Sequence, residues 1–212
     1  MSTAPRRPYA PRLPPDERRT QLLDAALEIF AEQGLPAVSI EAIARRADVT
    51  RPVVYGVFAD LNELMNALLE REESRALQQV ASAMPAMPGD ASTEARDPDD
   101  IVVDALSTFL NAVAGNPLTW RLILLPVEGT PRSLRDRVER TRGQLLEQVE
   151  LLIAWGIEKR GGPHGVEVEL LARSMVALSE EAGRLVLMRP DEFTPERVAN
   201  FARALIGKIA RD

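Results

Sequence analysis

Between Arg45 and Gly56 the chain concentrates the kinds of group that contact nucleic acid. Arg45, Arg46 and Arg51 carry guanidinium forks, which pair bidentately with guanine or clamp a phosphate. Thr50 and Tyr55 carry hydroxyls suited to phosphate oxygens, and Ser39 offers another just upstream. Pro52, Val53 and Gly56 are compact, so a helix bearing them can approach base edges closely, and Val53 can place methyls against a thymine methyl. Arg51, Val53 and Gly56 are the residues expected at base edges, with Thr50 and Tyr55 at phosphates.

Little else in the chain is equipped for chemistry. There is no cysteine, and the lone histidine, His164, sits in a Gly-Gly-Pro-His-Gly stretch. A thiolate metal site, a disulfide framework and a histidine-based triad are therefore excluded or nearly so. No glycine-rich phosphate loop and no nucleophile with a base in view suggest an enzyme, and no cofactor or metal is expected.

The binding residues need elements to hold them, and the sequence supplies caps and periodicity for these. Ser39 is placed to cap a short helix, with Val38 and Ile43 as a hydrophobic staple. Ile40, Ile43, Ala44 and Ala47 share one face of that helix, which leaves Glu41, Arg45 and Arg46 outward. Asp48 and Val49 make the turn, and Thr50 stands at the N-cap of a second helix that tolerates Pro52 in its first turn. Val54 and Phe58 lie one turn apart and point inward, so Arg51, Val53 and Gly56 face the other way. Residues 38–64 thus read as a helix-turn-helix followed by a further helix, and double-stranded DNA is the expected partner.

From Asp16 to Leu69 the segments ERRTQLLDAALEIFAEQG, VSIEAIARRADVT and RPVVYGVF follow one another with their caps and a Tyr55–Phe58 pair. This stretch, about a quarter of the chain, resembles the DNA-binding domain of the TetR family of bacterial transcriptional regulators. It departs from the family pattern in having Asp48 where a glycine is usual, Val57 where a histidine or aromatic is common, and Leu61 in place of a lysine. The resemblance implies a homodimer on a palindromic operator, most simply a repressor released by a small-molecule ligand that moves the fourth helix.

Length, charge and composition agree with a reading module joined to a larger helical domain. The 212 residues carry a net charge of −6, but residues 1–60 hold eight arginines against eight acids, so the acidic excess belongs to the remainder. A neutral reading module implies modest non-specific affinity and a functional dimer. Strand-like alternation is missing and aromatics are few, which makes the fold all-α, with about nine helices. The expected organisation is a disordered basic arm over 1–15, whose Arg6, Arg7 and Arg12 could reach a minor groove, a three-helix DNA-binding domain over 16–60, and a helical ligand-binding and dimerisation domain over 61–212. No apolar run is long enough for a membrane span and no signal-peptide core is visible, so a cytoplasmic location and no membrane partner are expected.

In the second domain, a fourth helix from Leu61 to about Ala83 precedes a loop over 85–100. Asp97-Pro98 opens a helix closing at Gly115, a short one lies between Pro117 and Pro126, and Thr130-Pro131 opens a long one to Arg160. Two more run from about Val166 to Met188 and from Thr194-Pro195 to Ala210. Aromatic, Leu and Met residues suited to an apolar pocket are Phe109, Trp120, Leu122, Leu124, Trp155, Met175 and Leu178, although such residues are more often plain core. Glu180 and Glu181 could supply a carboxylate for a cationic ligand, or lie on a solvated face. For the dimer interface the stripes on the last two helices nominate Leu171, Leu185, Phe201, Leu205 and Ile209. The alternative is a ligand-independent DNA-binding or architectural protein whose second domain only dimerises.

Overall fold

The computed structural model describes residues 13–83, 88–125, 132–163 and 165–208. Every regular element among them is helical: α1 (Pro15–Gln33), a 3₁₀ turn (Leu35–Ala37), α2 (Ile40–Arg46), α3 (Arg51–Tyr55), α4 (Leu61–Ala83), α5 (Ala91–Glu94), α6 (Pro98–Gly115), α7 (Pro117–Leu124), α8 (Arg132–Arg160), α9 (Val168–Met188) and α10 (Pro195–Ile206). The tenth helix, beyond the nine expected, is α5, a single turn inside the stretch read as an exposed loop. Asp90 nucleates it by accepting a hydrogen bond from the Ser92 backbone at 2.8 Å. His164, Ile209 and the arm arginines Arg6, Arg7 and Arg12 lie outside the described residues.

Two compact units make up the chain, Met1–Glu70 and Arg71–Asp212. The sequence put the boundary ten residues earlier, at the start of α4. It falls within α4 because Leu64, Met65, Leu68 and Leu69 are buried in the first unit, together with Leu22, Phe30, Ile43, Val54 and Phe58.

Local signals start and stop the helices where the sequence places them. Gly34 ends α1 at φ 81°, a conformation that costs an L side chain about 1 kcal/mol or more. Asp60 accepts from Glu63 N at 2.8 Å while Glu63 reaches back to Ala59 N at 2.6 Å, so α4 opens on a reciprocal cap. Asp97 caps α6 with Pro98 as its first residue, and Thr194 caps α10 with Pro195 following.

In the second unit α9 packs against α6, α7 and α8, and α10 lies on α6. One apolar cluster joins Ala76, Leu110, Val113, Trp120, Leu124, Val186 and Leu187; another joins Leu146, Ile153, Ala172 and Val176. Salt bridges fasten the rim. Arg160 pairs with Asp99 at 3.0 Å and donates to the Ile206 carbonyl at 3.0 Å, and Arg203 pairs with Asp100. At Gly183 the α7–α9 contact is so close that a Cβ there would lie 2.8 Å from Leu124 Cδ1. A methyl there would have to displace the tip of the Leu124 side chain.

Trp120 is 2% exposed, and Phe109 meets its ring edge-on at a centroid distance of 5.1 Å. Trp120→Ala should therefore destabilise the second unit by about 3 to 5 kcal/mol. Urea unfolding followed by circular dichroism checks this, and a loss below about 1 kcal/mol would contradict the core placement.

Candidate nucleic-acid interface

The reading head is built by burying one side of α2 and α3 and leaving the other in water. Val54 has no exposed surface and Phe58 has 1%, whereas Val53 is 37% exposed and Tyr55 50%. Arg51, Pro52 and Gly56 are also exposed. Arg19 of α1 stacks its guanidinium over the Phe58 ring at 4.7 Å, adding a cation–π contact to the apolar seat of α3. Gly56 has φ −73°, an ordinary helical value, so its backbone does not demand glycine. What glycine supplies there is absence of bulk.

Each sequence-nominated residue has a definite place. Ser39 caps α2 by accepting from Ala42 N at 3.1 Å. Thr50 occupies the N-cap position of α3 without a side-chain capping bond and is exposed, which leaves its hydroxyl available to a phosphate. Arg45 is exposed. Arg46, nominated with it, has a different occupation: its guanidinium pairs with Glu32 at 2.6 Å and Glu28 at 3.0 Å. The Arg46 hydrogen bond holds the Glu32 carboxyl below its usual range, and the same contact raises Arg46 above the usual range of arginine. Arg46 thereby ties α2 to α1 and positions the motif instead of offering a free fork. Gln21 makes a second tie, donating from Nε2 to the Ala47 carbonyl at 3.1 Å.

The turn between α2 and α3 departs from ordinary backbone geometry. Asp48 has φ 50°, in the left-handed region, at the position where the resembling family carries glycine. Aspartate tolerates that region better than most residues, though at some cost.

The pocket and dimer nominations scatter across the second unit. Trp120 and Leu124 come together as packed core, with half-buried Phe109 against them, and Leu124 and Phe109 face Gly183. Leu122 is half-buried, and Met175 packs beside the second cluster. Trp155 belongs to neither cluster; its indole N–H donates to Glu94 at 2.8 Å and Lys159 lies over its ring. Leu178 is 67% exposed, which removes it from any pocket within the protomer. Of the dimer set, Phe201 and Leu205 are 67% and 51% exposed, while Leu171 packs on its own protomer's second cluster and Leu185 is half-buried. Glu180 pairs with Arg142 at 3.0 Å.

Sequence inspection missed a polar group inside the second unit. Glu72 has no exposed surface; it pairs with Arg71 at 2.7 Å and Arg75 at 2.9 Å, and accepts from Thr119, itself 6% exposed. One signal marks it. Glu72 and Glu73 stand three and four residues after Leu69, on the buried face defined by Met65, Leu68, Leu69 and Ala76.

Comparison with known proteins places these features. Residues 22–68 match the family model described as "Bacterial regulatory proteins, tetR family". Over 73 residues the chain is 44% identical to the HTH-type transcriptional activator FasR of Mycolicibacterium smegmatis, covering 34% of this chain and 33% of that one. It is 33% identical over 81 residues to the HTH-type transcriptional regulator AcrR of Shigella flexneri, 38% of each chain. The match thus spans about a third of the length of these curated relatives. A TetR-like transcriptional regulator from Rhodococcus sp. RHA1 superposes with a TM-score of 0.72 at 25% identity, covering 93% of this chain and 97% of the other. FadR from Bacillus subtilis, solved with stearoyl-CoA, has a TM-score of 0.64 at 17% identity over 89% and 97%, a likeness of fold.

Replacing Asp48 with glycine removes the left-handed strain and should raise stability by up to about 1 kcal/mol. Thermal unfolding of Asp48→Gly beside the unmodified chain is the measurement. A lowered melting temperature would show that the aspartate side chain contributes more than its backbone costs.

Proposed function

We propose, from the premise that the chain belongs to the TetR family of bacterial regulatory proteins, that it is a homodimeric transcriptional repressor which leaves its operator when a small molecule binds. The observation that carries the proposal is the reading head: exposed Arg51, Val53 and Tyr55 mounted on buried Val54 and Phe58. In this assignment Arg51 and Val53 read base edges, with Thr50, Tyr55 and Arg45 on the phosphates.

Two copies are required on geometric grounds, because one short helix with few free cations reads only a half-site. The outward apolar residues supply a surface for pairing: Leu170, Leu178 and Met188 on α9, and Phe201 and Leu205 on α10, each more than half exposed. Covering them would remove large apolar side chains from water. Half-buried Phe109, Leu122 and Met175 retain surface for a ligand, and the acyl-CoA carried by the Bacillus FadR crystal makes a long apolar molecule the first class to try here. Activation is a second reading with one specific support, the name of FasR.

Sedimentation and gel shift on the region upstream of its own gene test the proposal together. The full chain should sediment as a dimer and shift that duplex, and Phe201→Asp should give a monomer with weakened operator binding. A monomeric parent chain that shifts no duplex would end the proposal. A reporter driven by the operator decides the sign, since added protein lowers expression for a repressor and raises it for an activator.

Arg51→Ala should cost about 1 to 3 kcal/mol of operator affinity and relax one position, whereas Tyr55→Phe should weaken all sequences alike. Binding to a panel of single-base operator variants distinguishes the two. Uniform losses for Arg51→Ala would move that residue to the phosphate class.

A further inference from the structure

The sector of α3 farthest from its buried seat presents carbon to the outside. At about 100° per residue, Pro52, Gly56 and Val53 span an arc of roughly 100° opposite Val54 and Phe58, and all three are exposed. None has a polar side chain. Their backbone donors are missing or engaged: Pro52 has no N–H, the Val53 N–H donates to the Thr50 carbonyl at 2.9 Å, and the Gly56 N–H donates to the Pro52 carbonyl at 3.0 Å. The polar residues of the head, Thr50, Arg51 and Tyr55, lie outside this arc.

The pad is also stiff and uncovered. A β-branched side chain in a helix keeps essentially one rotamer and the proline ring is fixed, so Pro52 and Val53 lose little freedom when a surface is laid on them. Helical side chains lean toward the N-terminus, so one at position 56 would lie over Pro52 and Val53. A Cβ at Gly56 would already stand 3.4 Å from the Val53 carbonyl oxygen. Glycine there leaves the Val53 methyls open.

Base edges in the major groove offer hydrogen-bonding atoms at every pair, but only one apolar group, the methyl on C5 of thymine. 5-Methylcytosine carries the same methyl on the same ring carbon, whereas cytosine and uracil carry hydrogen there. A surface with no donor and no polar side chain cannot tell the thymine O4 from the cytosine amino group beside that carbon. The Pro52–Val53 pad is therefore matched to the methyl and indifferent to its neighbour.

Resting on the reading of α3 as the helix that enters the groove, we propose that the Pro52–Val53 pad is a receptor for a pyrimidine C5-methyl, with Val53 the specificity-determining residue. Methylation of a cytosine at the operator position under Val53 then strengthens binding. Operator occupancy answers to the methylation state of the DNA as well as to its sequence.

The test uses the full-length chain and a duplex that it selects from a random pool. Exchanging each thymine in turn for deoxyuridine removes one methyl and leaves O4 and the base pairing intact. One thymine per half-site should respond with about four-fold weaker binding, and changing both half-sites should weaken it about fifteen-fold. With a C·G pair placed at the responding position, 5-methylcytosine should bind about four-fold tighter than cytosine. Val53→Ala should bind the thymine and deoxyuridine duplexes within about two-fold of each other while discrimination at the other positions persists, and Val53→Thr, which keeps the β-branch but exchanges one methyl for a hydroxyl, should fall between. Specific binding in which no thymine responds would overturn the proposal. So would an unchanged thymine-to-deoxyuridine ratio in Val53→Ala, or 5-methylcytosine that binds no better than cytosine; each of these leaves the regulator reading standing. A chain that selects no duplex would overturn both.

Discussion

Taking a carboxylate wholly out of water costs several kcal/mol unless charge and hydrogen-bond partners replace the lost hydration. Glu72 is in that position, and much of the second unit near α4 answers to it. Arg71 and Arg75 bring charge from its own helix, one turn or less away. Thr119 brings the contact from outside. For that hydroxyl to arrive, α7 must begin close to where it does, and Pro117 in its first turn with the sharp Gly115–Asn116 break from α6 sets that start. Trp120 then falls into the apolar cluster and its indole N–H onto Gln79. An apolar residue at 72 would pack as well, but would not require α7 at one register.

A comparable economy governs the first unit, where charge holds the scaffold and leaves the reading surface to the remaining side chains. Arg46 sits at the end of α2 and closes on two carboxylates of α1. Exposed ion pairs of this kind add little stability each, yet a guanidinium held by two acceptors is well defined in direction. The motif is thus fastened from behind by Arg46 and Gln21, and from beneath by Val54 and Phe58.

Most of the fold was legible because caps and breakers act locally. Ser39, Asp97-Pro98, Thr194-Pro195 and Gly34 each mark an end from residue type alone, and the structure uses all four. The brief α5 and the 3₁₀ turn over Leu35–Ala37 escaped, since elements of three or four residues have no periodicity to read. The second unit's surface was less legible, for a reason visible on α9. The stripe of Leu171, Met175, Leu178, Ala182 and Leu185 is centred roughly 110° from the face holding Ala172, Val176, Gly183, Val186 and Leu187. It runs along a flank, so α8 claims Leu171 and Met175 while Leu178 passes beyond it into solvent. Periodicity locates a stripe but not which neighbour covers it. Pocket nominations were no sharper, because Trp and Phe fill cores as readily as they line cavities: Trp120 is core and Leu178 is exposed, while Phe109, Leu122 and Met175 are half-buried. Arg46 was misread as a free cation because its acid partners lie fourteen and eighteen residues away, on a helix whose facing depends on tertiary packing.

Likeness to other proteins is distributed in a way that follows from the same physics. The family model matches residues 22–68, which include the reading head, while the fold-wide match to the Rhodococcus regulator has 25% identity. A helix that enters a DNA groove must satisfy groove dimensions that do not change between organisms, so residue size and direction at α2 and α3 have little latitude. A helical core needs volume and pattern, and tolerates wholesale exchange of apolar residues when both are kept. The same latitude does not extend to Glu72 and Thr119: a buried carboxylate and its donor must be exchanged together, because losing either alone leaves a polar group stranded out of water.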